Sequence, residues 1–330
     1  MGRKRSSIKD VARRAGVSET TVSHTFSGNR AVNPATQARV RAAAAELGYH
    51  PDVVASGLRR SRLGVIGLVL RPAVGEHPQQ TADVDYFPRF AGAAALASLA
   101  NGYALMLAPD PTVPGAPVTA YACDGIIVTD PVADDRLIGA LRSSRTPYAL
   151  VGVDVNDPDD AFVIDIATAF ITDVVIDYLL GLGCSRLGLV VGTDRIEWNE
   201  ATEARFVERV PDAVVLRLSE DLDRSGLSAA ADSLTGRVDG IYCLTSEHAV
   251  GIVPRLLESG VRVPEDVKVV CGSDAESLRS SVPSISSVDL QPEPLGRQAA
   301  ALVLRQLEPG LEFDAPAPEH GRIIVRQSSE

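Results

Sequence analysis

Apolar residues near the start of the chain recur every three or four positions: Ile8, Val11, Ala12 and Ala15, until Gly16-Val17 breaks the run. That spacing predicts a short amphipathic helix. Ser18 then stands as an N-cap before ETTVSHTF, so a second short helix follows a glycine turn. Two such helices in fewer than twenty residues have helix-turn-helix spacing. A third helix is marked at both ends: Asn33 as cap, Pro34 at the first position, an alanine-rich body to Leu47 and Gly48 as the stop. Val40, Ala44 and Leu47 give it a face to cover the first two.

Beyond residue 62 the period changes. Short apolar runs at 64–70, 103–108, 125–130, 148–154, 186–192, 213–218, 240–244 and 267–272 read as strands. Helical stretches lie between them, near 88–101, 135–143, 168–182, 200–209, 222–235 and 247–259. Strand–helix alternation over this length predicts parallel sheets covered on both faces. Such sheets bind ligands beyond the carboxyl ends of their strands, and two of them facing each other make a cleft.

Charge sharpens this division. The 330 residues carry a net charge of −11, but residues 1–62 hold twelve Lys/Arg against four Asp/Glu. A small basic module on an acidic body points to a polyanion met by the N-terminus alone. Cys123, Cys184, Cys243 and Cys271 are far apart and unpaired in spacing, which fits buried thiols in a reducing cytosol. No signal peptide and no membrane-length apolar run is present, so a cytoplasmic location is expected. There is no phosphate loop, no H-E-x-x-H and no G-x-S-x-G. The five histidines lack metal-ligand spacing, and no enzyme activity, cofactor or metal is expected.

The second helix of a helix-turn-helix lies in the major groove, with its N-terminal residues toward base edges. Those residues are Glu19, Thr20, Ser23 and His24, while Ser7, Ser18, Thr21 and Asn29 are placed to donate to phosphates. A three-helix bundle without a DNA role is the alternative, and the basic excess speaks against it. The spaced motifs D-V-A-x-x-A-G-V-S (Asp10 to Ser18), T-V-S (Thr21 to Ser23), Val32 to Val40 and L-G-Y-x-P (Leu47 to Pro51) resemble the DNA-binding headpiece of the LacI/GalR family of repressors. The resemblance places the main base-reading positions on Glu19, Thr20 and His24. Relatives often carry arginine at the last, and a histidine cannot make arginine's bidentate pair with guanine. It also implies that residues 50–62 are a hinge helix formed on the operator, with Leu58 wedged into the minor groove and Ala55 allowing close approach. Gly57 departs from a good helix former there.

Over 62–330 the chain resembles, more weakly, the type I periplasmic-binding-protein fold that serves this family as its sensor. Landmarks are Cys123 to Ile127, Gly260 to Val267, Gly272 to Asp274 and Arg322 to Arg326. The fold expected is therefore an all-α helix-turn-helix headpiece (1–49), the hinge (50–62) and an α/β core of two parallel-sheet sub-domains (63–330). The resemblance divides the core into 63–164 with 290–320, and 165–289 with 321–330, and places helix 291–307 in the first. It further implies a homodimer on a palindromic double-stranded DNA operator, and a small polar effector such as a sugar in the cleft. Tyr86 and Phe87 match an aromatic position at the cleft mouth, and Asp274 a carboxylate that accepts from ligand hydroxyls. Glu247 falls where relatives have aspartate. The ligand-clamping arginine of relatives falls on Thr202, and nearby Trp198 is suited to stand in as a stacking wall. Asp130 and Asp154 end apolar runs and are expected along the cleft. Two other function classes share parts of this pattern: a metabolite-binding protein without a DNA role, and a DNA-bending protein indifferent to ligand.

Overall fold

The computed structural model describes residues 6–27, 30–50, 62–71, 86–219, 224–310 and 321–330, and the chain divides into two compact units at Gly64–Val65. The first unit is helical. Helix α1 (Ile8–Ala15) opens with a reciprocal cap between Ser7 and Asp10 and closes on Gly16 at φ 65°. Helix α2 (Glu19–Ser27) starts immediately after the turn. Helix α3 (Pro34–Leu47) has Asn33 accepting from the Ala35 N–H, and ends on Gly48 at φ 59°. Left-handed backbone at both stops is the reason glycine stands there. Val11, Val22 and Val40 are fully buried where the three helices meet, with Ala12, Ala15, Ala43 and Ala44 filling between them. Small residues let short helices approach closely, and each buried valine contributes about 1.5–3 kcal/mol.

The second unit holds two sheets. The first has the order β2-β1-β3-β4-β5, all parallel, built from β1 (Val65–Val69), β2 (Ala104–Leu107), β3 (Gly125–Thr129), β4 (Tyr148–Val151) and β5 (Val163–Ile164). Helices α4 (Tyr86–Ala100) and α5 (Arg136–Ser144) belong with it. The chain then passes into the second sheet through α6 (Thr168–Gly181), β6 (Leu187–Val191), α7 (Glu197–Arg209), β7 (Val214–Arg217), α8 (Arg224–Leu234), β8 (Gly240–Cys243), α9 (Ser246–Glu258), β9 (Lys268–Cys271), α10 (Glu276–Ser280) and β10 (Ser286–Asp289). It returns to the first sheet with α11 (Pro292–Leu307) and adds an antiparallel edge strand, β11 (Arg322–Ile324), to the second. The order there is β11-β10-β9-β8-β6-β7.

The central strands β3 and β6 are almost wholly apolar, as strands covered on both faces are. Ile126, Ile127 and Val128 of β3 and Leu189 and Val190 of β6 have no exposure. Helix α11 lies against α4 and β4, and the approach is tight at Gly296: a β-carbon there would sit 2.3 Å from the Phe90 carbonyl oxygen. This is the expected architecture of a helical headpiece and two parallel-sheet halves. No helix among the described residues is long and apolar enough to cross a membrane.

Candidate DNA interface and effector cleft

In the headpiece, Val22 and Thr25 turn inward while Glu19 and Thr20 are exposed and Ser23 and His24 are half-buried. Positions 19, 20, 23 and 24 fall on one face because residues three and four apart on a helix are neighbours. That face is free to meet a groove, and its four side chains can donate or accept without leaving their helix. The Ser18 hydroxyl accepts from the Thr21 N–H at 3.1 Å and lies 2.9 Å from the Thr21 hydroxyl. Both are thereby held at the start of α2, where the helix dipole favours an anion. Ser7 differs, for its hydroxyl donates to Asp10 at 2.7 Å within the cap of α1 and must surrender that bond to reach a phosphate. Asn29, Ala55, Gly57 and Leu58 lie outside the described residues.

Sequence reading missed two arginines. A groove of about 500 Å³ runs between α2 and the start of α3, lined by Ser18, Thr21, His24, Arg30, Thr36 and Arg39 among others. Arg30 and Arg39 are exposed, so two cations stand beside the polar face of α2. They counted in the basic excess of the module, but nothing local marks them, because neither is on the second helix.

At the carboxyl ends of the core strands, side chains from both halves meet. The backbone itself joins them: Val132, just after β3, forms an antiparallel bridge with Ile196, just before α7, and the Ala133 N–H donates to the Arg195 carbonyl at 3.2 Å. Asp130 and Glu197 flank this bridge. Burial and the neighbouring Glu197 push Asp130 up to about 7, against a hydrogen bond from Thr129 and the Arg71 charge. Glu197 is raised too, by burial and by Asp165, although Thr168 donates to it at 2.8 Å. Trp198 packs against the cores of both halves. Tyr86 meets Phe87 edge to face at 5.3 Å and stacks on Phe90 at 6.1 Å. Its phenol is held neutral by burial and by Asp130, which places Tyr86 and Asp130 together.

Asp274 is fixed rather than free. Its Oδ1 accepts from the Ser287 hydroxyl at 2.8 Å and from Arg326 at 2.8 Å, and its Oδ2 accepts from Arg279 at 2.7 Å. A carboxylate has about four acceptor sites, so capacity for one further donor remains. Glu247, in the first turn of α9, accepts from Ser246 at 3.2 Å. Asp154 is held in the same manner as Asp274. It is buried and accepts from Arg142 at 3.2 Å and from the Asn156 N–H at 2.9 Å, in a cluster that includes Asp160 and Tyr148. An apolar run ending in aspartate looks the same whether the carboxylate faces a ligand or an arginine twelve residues back.

The arginines of this region are all engaged. Arg71, at the end of β1, bonds Asp135 and Asp110, the latter at 2.8 Å. Arg89 makes a two-pronged pair with Glu293 at 2.7 and 2.9 Å. Such forked pairs fix geometry as well as charge.

Comparison with known proteins agrees with both parts. A family model described as bacterial regulatory proteins, lacI family, matches residues 7–52, and one described as periplasmic binding protein-like domain matches 176–329. The transcriptional repressor PurR of Pectobacterium atrosepticum is 26% identical over 348 residues, spanning 98% of this chain and 96% of that one. Catabolite control protein A of Staphylococcus epidermidis is 25% identical over 298 residues, spanning 86% and 87%. Among solved structures, the lac repressor dimer bound to operator and the anti-inducer ONPF gives a TM-score of 0.76 at 21% identity, over 99% of each chain. The transcriptional regulator CelR in its cellobiose complex gives 0.68 at 23% identity, over 98% of this chain and all of that one. These two structural likenesses establish the fold.

Proposed function

Because this chain belongs to the LacI family of bacterial regulatory proteins, we propose that it is a dimeric repressor of a palindromic operator, released or recruited by a small polar effector. Its curated relatives are transcriptional regulators rather than enzymes. The observation that carries the reading is the outer face of α2, where Glu19, Thr20, Ser23 and His24 stand clear of a core closed by Val11, Val22 and Val40.

In this reading phosphate donors set the register and the α2 side chains read bases. Ser18 and Thr21 are joined in the first role by Arg30 and Arg39, which the groove brings beside them. Glu19 accepts from a cytosine amino group and His24 offers one hydrogen bond to a purine, so the outer operator bases differ from those an arginine would select. A pair of headpieces on two half-sites requires a two-fold DNA sequence. Leu58, which lies outside the described residues, is assigned the central wedge that bends the duplex.

The effector is assigned to the junction between the core halves, where Asp130, Trp198, Tyr86 and Phe87 converge, with Asp274 as a fixed acceptor. In this reading the two halves, joined by a backbone bridge and a shared tryptophan, take up more than one arrangement, and a ligand that prefers one of them shifts the population.

The test is retention of sheared genomic DNA from the source organism by the purified chain, followed by sequencing. A shared inverted repeat is expected. Retained fragments with no common motif would overturn sequence-specific operator binding.

A further inference from the structure

The first turns of α7 carry a combination that packing does not explain. Trp198 and Thr202 are four residues apart and Phe206 four further, so all three share one helix face. Trp198 packs into both halves of the core and Phe206 into the second alone, so the face runs from the junction into the second half with Thr202 between them. Thr202 has no exposure and its hydroxyl has no hydrogen-bond partner. Buried hydroxyls on other helices return to the carbonyl four residues back: Thr25 at 2.9 Å, Ser98 at 2.8 Å and Thr172 at 2.9 Å. Thr202 does not, so its hydroxyl is turned away from its own helix. Tyr242, whose ring lies 6.3 Å from Phe206, is a second buried hydroxyl without a partner. Buried polar atoms are almost always satisfied, so the Thr202 hydroxyl has the capacity to take a partner.

Charge gives the chemistry of that partner. Arg71, Arg89, Arg279 and Arg326 are each neutralised by a carboxylate. Asp130 and Glu197 are in the opposite condition: among the described residues neither forms an ion pair, and Glu197 has only the Thr168 hydroxyl. They stand on the two sides of the Val132–Ile196 bridge, one from each half of the core. A sugar phosphate or a carboxylic acid finds its cations already taken there. A cation finds two unpaired carboxyl groups and the faces of Trp198, Tyr86 and Phe87.

We propose that the effector is a protonated amine that also bears hydroxyl groups, an amino sugar or related amino polyol, with its ammonium between Asp130 and Glu197 and a hydroxyl on Thr202. This rests on the reading of the junction as the effector site. An ammonium supplies a countercharge to two carboxyl groups that form no ion pair among the described residues and whose burial disfavours the bare charge. The unbonded Thr202 hydroxyl then gains the partner that its helix does not provide.

Trp198 is the only tryptophan in the chain, so its fluorescence reports this site directly. The full-length protein is titrated with glucosamine, glucose and glucose-6-phosphate. Glucosamine is expected to saturate at a concentration about tenfold or more below glucose, with no response to glucose-6-phosphate. The preference should vanish in Asp130→Asn and Glu197→Gln, while Thr202→Val should weaken both neutral and amino sugars. Circular dichroism establishes that each variant is folded. A response to glucose or glucose-6-phosphate without glucosamine would overturn the amine and leave the effector site standing. A glucosamine preference that survives both carboxyl variants would overturn the assignment to these residues. Silence from all three sugars would overturn the amino sugar, while the genomic DNA experiment decides the regulatory reading separately.

Discussion

Replacing Asp130 by asparagine should stabilise the core at alkaline pH and not at acid pH. In the unfolded chain this carboxyl ionises near pH 4, whereas in the folded chain burial and Glu197 hold its proton until about 7. The folded state therefore binds the proton more tightly. The protonated group adds stability that is complete below about pH 4 and is lost as pH rises through about 7. A difference of about three pH units is worth at most about 4 kcal/mol at about 1.4 kcal/mol per unit. Asp130 is not wholly sealed from water and Arg71 lies near it, so about 1–2 kcal/mol is the expected share. Asparagine keeps the shape and carries no charge. Urea unfolding followed by Trp198 fluorescence, at equal protein concentration and at pH 5 and 8.5, gives the variant-minus-parent difference with all other titrations cancelled. The variant should gain about 1–2 kcal/mol at pH 8.5 relative to pH 5. A difference that is flat with pH, or that grows toward acid, would refute the argument that Asp130 sits desolvated beside a second carboxyl.

Gly296→Ala should destabilise the first half of the core by about 1–3 kcal/mol, because the new methyl would sit 2.3 Å from the Phe90 carbonyl oxygen and 3.1 Å from the Ala94 nitrogen, both of them backbone atoms of α4; an unchanged melting temperature would show that α4 and α11 can part freely. His24→Arg should move base preference at one symmetric pair of operator positions by about 1–3 kcal/mol, read by competition among operator variants. An unaltered binding motif would remove His24 from base reading. Arg39→Ala should weaken binding evenly across sequences and lower the log–log salt slope by about 0.9 for each phosphate that Arg39 neutralises; an unchanged slope would place Arg39 off the backbone. Leu58→Ala should lower operator affinity without changing the melting temperature of the core, and equal affinity would end its role as a wedge.

The headpiece was legible because its signals are local chemistry. Asn33, Pro34 and Gly48 act within one turn of the helix ends that they define, and Gly16 supplies the left-handed turn that closes α1. The core strands were legible as apolar runs, since burial on both faces leaves no polar alternation to confuse them. Strand β10 was not. Ser286 and Ser287 are completely buried within it, and their partners lie far along the chain: Ser328 and Arg326 for the first, Asp274 and Arg326 for the second. Polar residues at these positions read as a loop unless the distant partners are known. The same reason hid the condition of Asp274. Its aspartate matches an acceptor position, but the two arginines that hold it come from five residues on and from near the chain end. Thr202 shows the reverse case. Its sequence position announced only a missing arginine, and the structure adds that the hydroxyl in its place is buried and unpartnered.

Two of the passages between the sheets are built alike. Where the chain enters the second sheet, the Asp165 carboxylate accepts from the Ala167 N–H at 2.7 Å, and Ala167 is left-handed at φ 58° just before α6. Where it returns, the Asp289 carboxylate accepts from the Gln291 N–H at 3.0 Å, and Gln291 is left-handed at φ 52° just before α11. A left-handed conformation costs a residue with a β-carbon about 1–2 kcal/mol. Such a conformation persists only where its surroundings impose it, and here the aspartate two residues earlier does so. Both passages are therefore held in the same way, by an aspartate bond to the backbone two residues on. Asp165 also raises Glu197, and Asp289 receives Arg322 at 3.1 Å. One turn thus touches the carboxyl proposed to hold the effector. The other lies against the closing edge strand, through the Asp289–Arg322 pair.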